Sequence, residues 1–434
     1  MPGSPPPIRY TLPMGSPEAS SAQPELRASA LSYPAYRRYW IATIARVFGI
    51  QFRFIGSLWL VTQLSSSPIW LGIVSVASAV PTIVLSVPAG VLADRFDNRR
   101  LIVWSQALTA VCTLAMALAV VAGVATVWLV VVWSVAVGSL MAIANPAQNA
   151  ILPRLIEMRA IASAVAYTNG VWNVMRIVGP AAAGVLIVLI GTGQAFFVTA
   201  AGFGISAVLI QAVKLEPVVA RTSQEAGGML EGIRYIFARK VFFATIGLSF
   251  FTSLFGTSYV VLLPTFATSV LNTGARGFGF MEAAAGLGAL LGTVLFVRLG
   301  RTLPHGPAML VAATLFGLLI AGFAASRSIP LSLLLLFGGG FASSVYLNIG
   351  MTALQILVPD ELRGRVMGIW SMTYFLGSVG GLPAGIAAQW WGAPMAVALG
   401  ALSVSVFAVT LMVAVPSLRR MTAKVPSVPT PAEA

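Results

Sequence analysis

Residues 90–100 read Gly90-Val91-Leu92-Ala93-Asp94-Arg95-Phe96-Asp97-Asn98-Arg99-Arg100 and separate two apolar runs, 70–92 and 101–122. Each run has the roughly 20 residues that a helix needs to cross the ~30 Å hydrocarbon layer of a bilayer. The turn between them is tight, with one early Gly, an Asp at the helix end and a cluster of cations. Similar runs recur with short breaks, centred in 38–63, 70–92, 101–122, 126–148, 162–190, 194–213, 241–268, 277–298, 306–325, 330–357, 365–390 and 394–416. They are long and uniformly apolar where barrel strands would alternate, so twelve transmembrane helices are predicted. Composition agrees: 58% of the 434 residues are hydrophobic and 9% charged, with a mean hydropathy of +0.91, far from a soluble domain. The fold class is an all-α membrane protein embedded in a lipid bilayer.

The net charge of +14 invites a nucleic-acid partner, but its distribution argues against one. With the N-terminus inside, the inner segments hold Arg37, Arg38, Arg95, Arg99, Arg100, Arg154, Arg159, Arg234, Arg298, Arg363, Arg365 and Arg419 among others, and the outer loops only Arg276 and Arg327. This positive-inside bias predicts both termini in the cytoplasm and a location in the cytoplasmic membrane. The single cysteine, Cys112, cannot form an internal disulfide, and the lone His305 cannot build a metal site with it. No H-E-x-x-H, no phosphate loop and no paired intramembrane carboxylates are present, which argues against an enzyme or a primary pump and calls for no metal or cofactor.

The chain divides six plus six. A tail (1–36), rich in Pro, Ser and Ala, precedes a first half (37–213), and a linker (214–240) leads to a second half (241–416) and a short tail (417–434). The tails read as disordered. In the linker, Met229, Leu230, Ile233, Ile236 and Phe237 recur at helical spacing, which predicts a short amphipathic helix on the inner membrane surface; the alternative is a flexible connection. The halves resemble each other. Gly179-Pro180-Ala181-Ala182-Ala183-Gly184 in span five has a counterpart in Gly380-Gly381-Leu382-Pro383-Ala384-Gly385 in span eleven, and Asn145 in span four is echoed by Asn348 in span ten. Offsets near 200 residues indicate a duplicated six-helix unit, the pattern of transporters with two halves around a central site.

The 90–100 stretch resembles the loop signature of the major facilitator superfamily, G-x-L-A-D-R-x-G-R-R, with Asp97 where the family commonly has its second Gly. That departure predicts a more strained or differently shaped turn. Gly170, Gly179, Pro180 and Gly184 resemble the antiporter motif of the exporter branches, where small residues let the helices of one half pack closely. Two longer stretches, Asn145–Pro180 and Gln355–Gly368, look like the branch of bacterial macrolide-efflux and enterobactin-exporter proteins. The resemblance covers roughly 33–416 and implies an exporter, commonly driven by proton antiport, with the 90–100 turn and the start of span eleven meeting as a cytoplasmic gate. Gly90, Asp94, Arg95, Arg99, Arg363 and Arg365 are its candidate members. Members of this branch often carry an Asp in span one, where Gln51 stands here. Gln cannot titrate, which keeps open an uncoupled facilitator or a transporter-like sensor.

Of the twelve acidic residues only Glu282 lies well inside a span, so it is the candidate for proton coupling; the alternative is an outer-rim residue paired with Arg276. Arg46 and Arg53 lie seven apart on one helix face, and Arg176 sits mid-span beside Asn173. Together with Gln51, Tyr346 and Tyr374 these residues suggest a central pocket with a cationic bias and aromatic walls. It suits an amphipathic small molecule, with a hint of a carboxylate-bearing one. The chain is expected to act as a monomer.

Overall fold

The computed structural model describes residues 29–213, 229–300 and 303–419; the rest of both tails, the 214–228 connection and positions 301–302 lie outside it, as do the side chains at 87, 229–233, 360–361 and 374–375. The described residues are helical nearly throughout. The first half contains α1 (Pro34–Leu64), α2 (Ile69–Arg95), α3 (Asn98–Val121), α4 (Val127–Ile151), α5 (Ile161–Ile190) and α6 (Thr192–Gln211). After the connection come α7 (Met229–Ala238), α8 (Lys240–Phe251), α9 (Tyr259–Thr265), α10 (Gly274–Leu299), α11 (His305–Ala325), α12 (Ile329–Leu357), α13 (Asp360–Trp391), α14 (Ala393–Ala414) and the short α15 (Pro416–Arg419). Among the described residues, eleven helical stretches are long and apolar enough to cross a membrane. The remaining span, α13, is a helix of 32 residues. Val111, Leu189, Val208, Val297, Leu334 and Val413 are each more than half exposed, an outward apolar surface that only a lipid environment accommodates.

Ordered structure begins before the expected end of the tail at 36. A 3-10 turn at Ala30–Ser32 leads into α1, with Ala30 buried and its N–H donating to Ser163 Oγ at 2.8 Å. Span seven is not the continuous helix expected over 241–268. Two π-helical segments, Thr252–Gly256 and Phe266–Val270, flank α9. There the N–H of Thr257 bonds the Thr252 carbonyl and that of Leu271 the Phe266 carbonyl, five residues back. The linker helix α7 does more than lie on a surface: Ile236 buries against α8 and the start of α13 beside Phe242, Val366 and Trp370, while Phe237 points outward. Adjacent helical residues diverge by about 100°, so both could not share one face.

The two sets of helices pack alike. α2 runs along α4, and α3 along α4 and α6; in the second set α10 runs along α12, and α11 along α12 and α14. Between the sets, α2 meets α13 and α5 meets α10, again a symmetric pair. One apolar core joins both sets on the side away from the linker, through Phe52, Leu71, Ile187, Val261, Phe266 and Met281. On the linker side each set has its own core, around Tyr36, Ile102 and Ile210 in the first and around Leu310, Ile349 and Leu418 in the second. The molecule is therefore shut on one side and parted on the other.

Candidate functional site

The closed side is built from glycines. A methyl placed on Gly72 of α2 would lie 2.5 Å from the Gly381 carbonyl oxygen and 2.7 Å from Leu382 Cα, both on α13. On the opposite flank, one placed on Gly184 of α5 would lie 2.5 Å from the Ala275 carbonyl oxygen of α10. At the rim, Ser67 Oγ donates to Gln389 Oε1 at 2.7 Å. The repeated Gly-Pro-Ala-Gly segments of α5 and α13 thus serve the two seams between the halves. The expectation that Pro180 and Gly184 pack within one half is corrected accordingly: Pro180 and Gly184 approach Gly279 of the other half. Gly179 does pack internally, on the Gln51 side chain, and Gly170 has open space around it.

Just below the α5–α10 seam, toward the linker, lies Glu282. One turn further along α10, Gly286 abuts the Arg176 backbone and Cγ, which lays Arg176 over α10. The Glu282 Oε1 is buried without a hydrogen-bond partner among the described residues. The charge of Arg176 acts on both Glu282 and the buried Tyr259 of α9, without an ion pair to Glu282. α5, α9 and α10 therefore bring one carboxylate, one guanidinium and one phenol together where the two halves meet. Tyr259 was missed from sequence, though its place between Gly256 and Pro264 of span seven is a signal. The outer-rim alternative with Arg276 does not hold: Arg276 lies over the ring of Phe280, 5.5 Å from its centroid.

The other pocket candidates scatter. Arg46 and Arg53 leave the same face of α1 in different directions. Arg53 is half-buried and donates to Ser78 Oγ of α2 at 3.4 Å, whereas Arg46 is buried with its guanidinium over the Trp172 ring. Gln51 donates to the Met175 carbonyl of α5 at 3.3 Å and so ties α1 to α5. Asn173 is half-buried and Arg176 exposed on the cleft flank of α5. Tyr346 is not a pocket wall: it is 1% exposed in the second half's core, its ring 6.3 Å from that of Phe316. An apolar neighbourhood takes an aromatic ring inward whatever its hydroxyl prefers. The Tyr374 side chain lies outside the described residues. Asn348 bonds to Ser344 and Thr293, which fastens α12 to α10 within one half.

The gate candidates sit near the ends of α2, α3 and α13. Gly90 has open space around it; Asp94 and Arg95 are exposed, and Asp94 has no hydrogen-bond or ion-pair partner among the described residues. Arg99 donates to the Val213 carbonyl at the end of α6, and Arg363 to that of Val358, each within its own half. Arg365 is half-buried near the start of α13. The strained turn expected at Asp97 is not found. Asp97 has φ −64° and ψ 112°, and its carboxylate accepts from the Arg99 N–H at 2.8 Å as the N-cap of α3. In the α4–α5 loop outside the spans, hydrogen bonding to Tyr33 and then the Glu157 carboxylate at 2.7 Å hold the Arg159 guanidinium above its ordinary pKa. Among the described residues no cluster of His, Cys, Asp and Glu could hold a metal ion.

The family model for transmembrane secretion effectors of the major facilitator superfamily matches residues 27–433. The chain belongs to this family. It is 29% identical over 342 residues to the multidrug efflux pump Tap of Mycolicibacterium fortuitum, covering 75% of this chain and 82% of that one. It is 26% identical over 353 residues to the staphyloferrin A transporter of Staphylococcus aureus, covering 78% and 85%. The enterobactin exporter EntS of Escherichia coli is 23% identical over 286 residues, 65% of this chain and 68% of its own. Among solved structures, an inward-facing bacterial homologue of the human lysosomal transporter Spinster superposes with a TM-score of 0.67 at 16% identity, covering 89% of this chain and 96% of that one. A D-xylose–proton symporter does so with 0.68 at 14% identity, covering 90% and 100%. The protein is a multi-pass membrane efflux transporter of the major facilitator type.

Proposed function

We propose that this transporter exports an amphipathic small molecule, of the drug or siderophore type, across the cytoplasmic membrane by alternating access in exchange for protons. The observation that carries the reading is Glu282, a carboxylate with a buried oxygen at the meeting line of the two halves, within the field of Arg176 and beside the interruptions of span seven. A group at that line changes its surroundings when the halves move, and a carboxylate whose burial and neighbouring charge change exchanges a proton. About 150 mV across the membrane is worth roughly 3.5 kcal/mol per proton, enough to drive a gradient of a few hundred-fold at one-to-one exchange.

In this reading the 37–213 and 241–416 units rock about the closed side, acting as a monomer. The linker and both termini are cytoplasmic, as the surplus of arginines on that side favours. The described conformation is then open inward. Closing the inner face carries Asp94 and Arg95 at the end of α2 toward Arg363 and Arg365 at the start of α13, and parts the glycine seams outside. Arg53, Arg176 and Asn173 bias the cleft toward anionic substrates. The names of the relatives, a drug pump and two siderophore transporters, support the substrate type.

The test is transport by full-length protein in proteoliposomes. Glu282→Gln abolishes uphill transport driven by a pH gradient but keeps downhill counterflow; undiminished pH-driven accumulation by this variant sinks the proposal. Gln51 favours one second reading. It is untitratable and engaged with the Met175 carbonyl, as expected of an uncoupled facilitator or a sensor. Counterflow without uphill transport in the unaltered protein identifies the facilitator, and absence of both identifies the sensor.

A further inference from the structure

We infer that the first six-helix half holds a small inorganic anion, of chloride size, against Arg46. Arg46 is 7% exposed, and no hydrogen bond or ion pair to a described residue engages its guanidinium. It lies over the face of Trp172, 5.7 Å from the ring centroid, with the buried Tyr39 phenol within reach of its charge. Arg46 lines a cavity of about 10 Å³ between α1, α3, α4 and α6, together with Ser105, Gln106, Thr109, Asn145 and Gln148. Gln106 is 3% exposed, and its Oε1 is buried without a donor among the described residues. Thr109 is already committed to the Ser105 carbonyl at 2.7 Å.

Two needs converge on this cavity. A buried guanidinium requires an acceptor and a compensating charge. The acids of this half lie outside the spans and are exposed: Asp94 and Asp97 in the α2–α3 turn, and Glu157 in the α4–α5 loop. Arg176 shares the field of Glu282 and Arg53 reaches Ser78, but Arg46 has neither recourse. A water between Arg46 and Gln106 would serve their hydrogen bonds and leave the charge standing. A monatomic anion neutralises it, and the amide groups of Gln106 and Asn145 can each turn an NH2 toward it. The volume admits about one water-sized body. A space of that size suits a monatomic ion better than phosphate, sulfate or a carboxylate-bearing substrate, and its lining is distinct from the cleft at Glu282.

The experiment measures thermal unfolding of the full-length, detergent-purified protein in sodium chloride, sodium bromide or sodium gluconate at equal ionic strength. Halide is expected to raise the midpoint by about 2 °C or more, saturably, and the rise is expected to vanish in Arg46→Met. A midpoint indifferent to halide overturns the inference, as does a halide shift of the same size in Arg46→Met. Crystals of the unaltered protein soaked in bromide decide the question even where the variant fails to fold. An anomalous peak between Arg46 and Gln106 supports the site, and non-anomalous density there, a water, overturns it.

Discussion

A methyl group at Gly72 tests what holds the described conformation shut. Placed there, it would lie 2.5 Å from the Gly381 carbonyl oxygen and 2.7 Å from Leu382 Cα. Both are backbone atoms, so no side-chain rotation relieves the contact. Overpacking of this kind costs about 1–3 kcal/mol in a close-packed interior. Parting of α2 from α13 removes the contact, so the cost falls on the closed seam alone. The equilibrium then moves by roughly 5- to 150-fold toward conformations open on that side. Gly184→Ala does the same on the other flank, 2.5 Å from the Ala275 carbonyl, and two sites without shared partners add. The assay uses Cys112→Ser protein with cysteines at Ser67 and Gln389, whose side chains bond at 2.7 Å across the rim. A short bifunctional thiol reagent links them quickly in the parent and slowly after Gly72→Ala. An unchanged linking rate in well-folded Gly72→Ala protein refutes the reasoning.

Three further outcomes are expected. Asp94→Asn lowers transport while expression and the Ser67–Gln389 linking rate stay normal or rise, because the carboxylate is needed only once the inner face closes; normal transport by this variant removes Asp94 from the gate. Arg53→Gln and Arg176→Gln each weaken binding of anionic ligands more than neutral ones, as read by thermal-shift titration, and equal losses point to a purely structural role. Asp97→Ala destabilises by about 1 kcal/mol through loss of the α3 cap, whereas Asp97→Gly costs only a few tenths, measured as unfolding midpoints in detergent.

Much of this architecture was written locally. The twelve runs and the duplicated Gly-Pro segments depend on hydropathy and spacing within one stretch of chain, and they led to the right fold. Glu282 stood out for the same reason: a lone acid in an apolar run needs no partner to be noticed. What failed depended on three-dimensional neighbours. Arg46 and Arg53 share a helix face, yet one enters the bundle toward Trp172 and the other turns to Ser78, a divergence set by the flanking helices. Tyr346 gives no hint in its own span that the Phe316 side of the second half would enclose it. Asp97 was judged by the glycine it replaces, while its capping bond to the Arg99 N–H makes the replacement favourable. The breaks in span seven had a local cue in Gly256 and Pro264, but the i→i+5 bonds that accommodate them are a property of the packed helix.

The composition of α13 bears on how the chain is assembled. Gly364, Gly368, Gly377, Gly380, Gly381 and Gly385 interrupt its apolar residues, and Asp360, Glu361, Arg363 and Arg365 crowd its first turns. A segment with so charged a start and so many glycines gains less by entering lipid unaided. Its small residues match the backbone of α2, synthesised long before. Partition of α13 out of the translocation machinery thus relies on a waiting helix from the opposite half. The second half produced without the first should mislocalise this one segment, and co-production of the first half as a separate polypeptide should restore its integration.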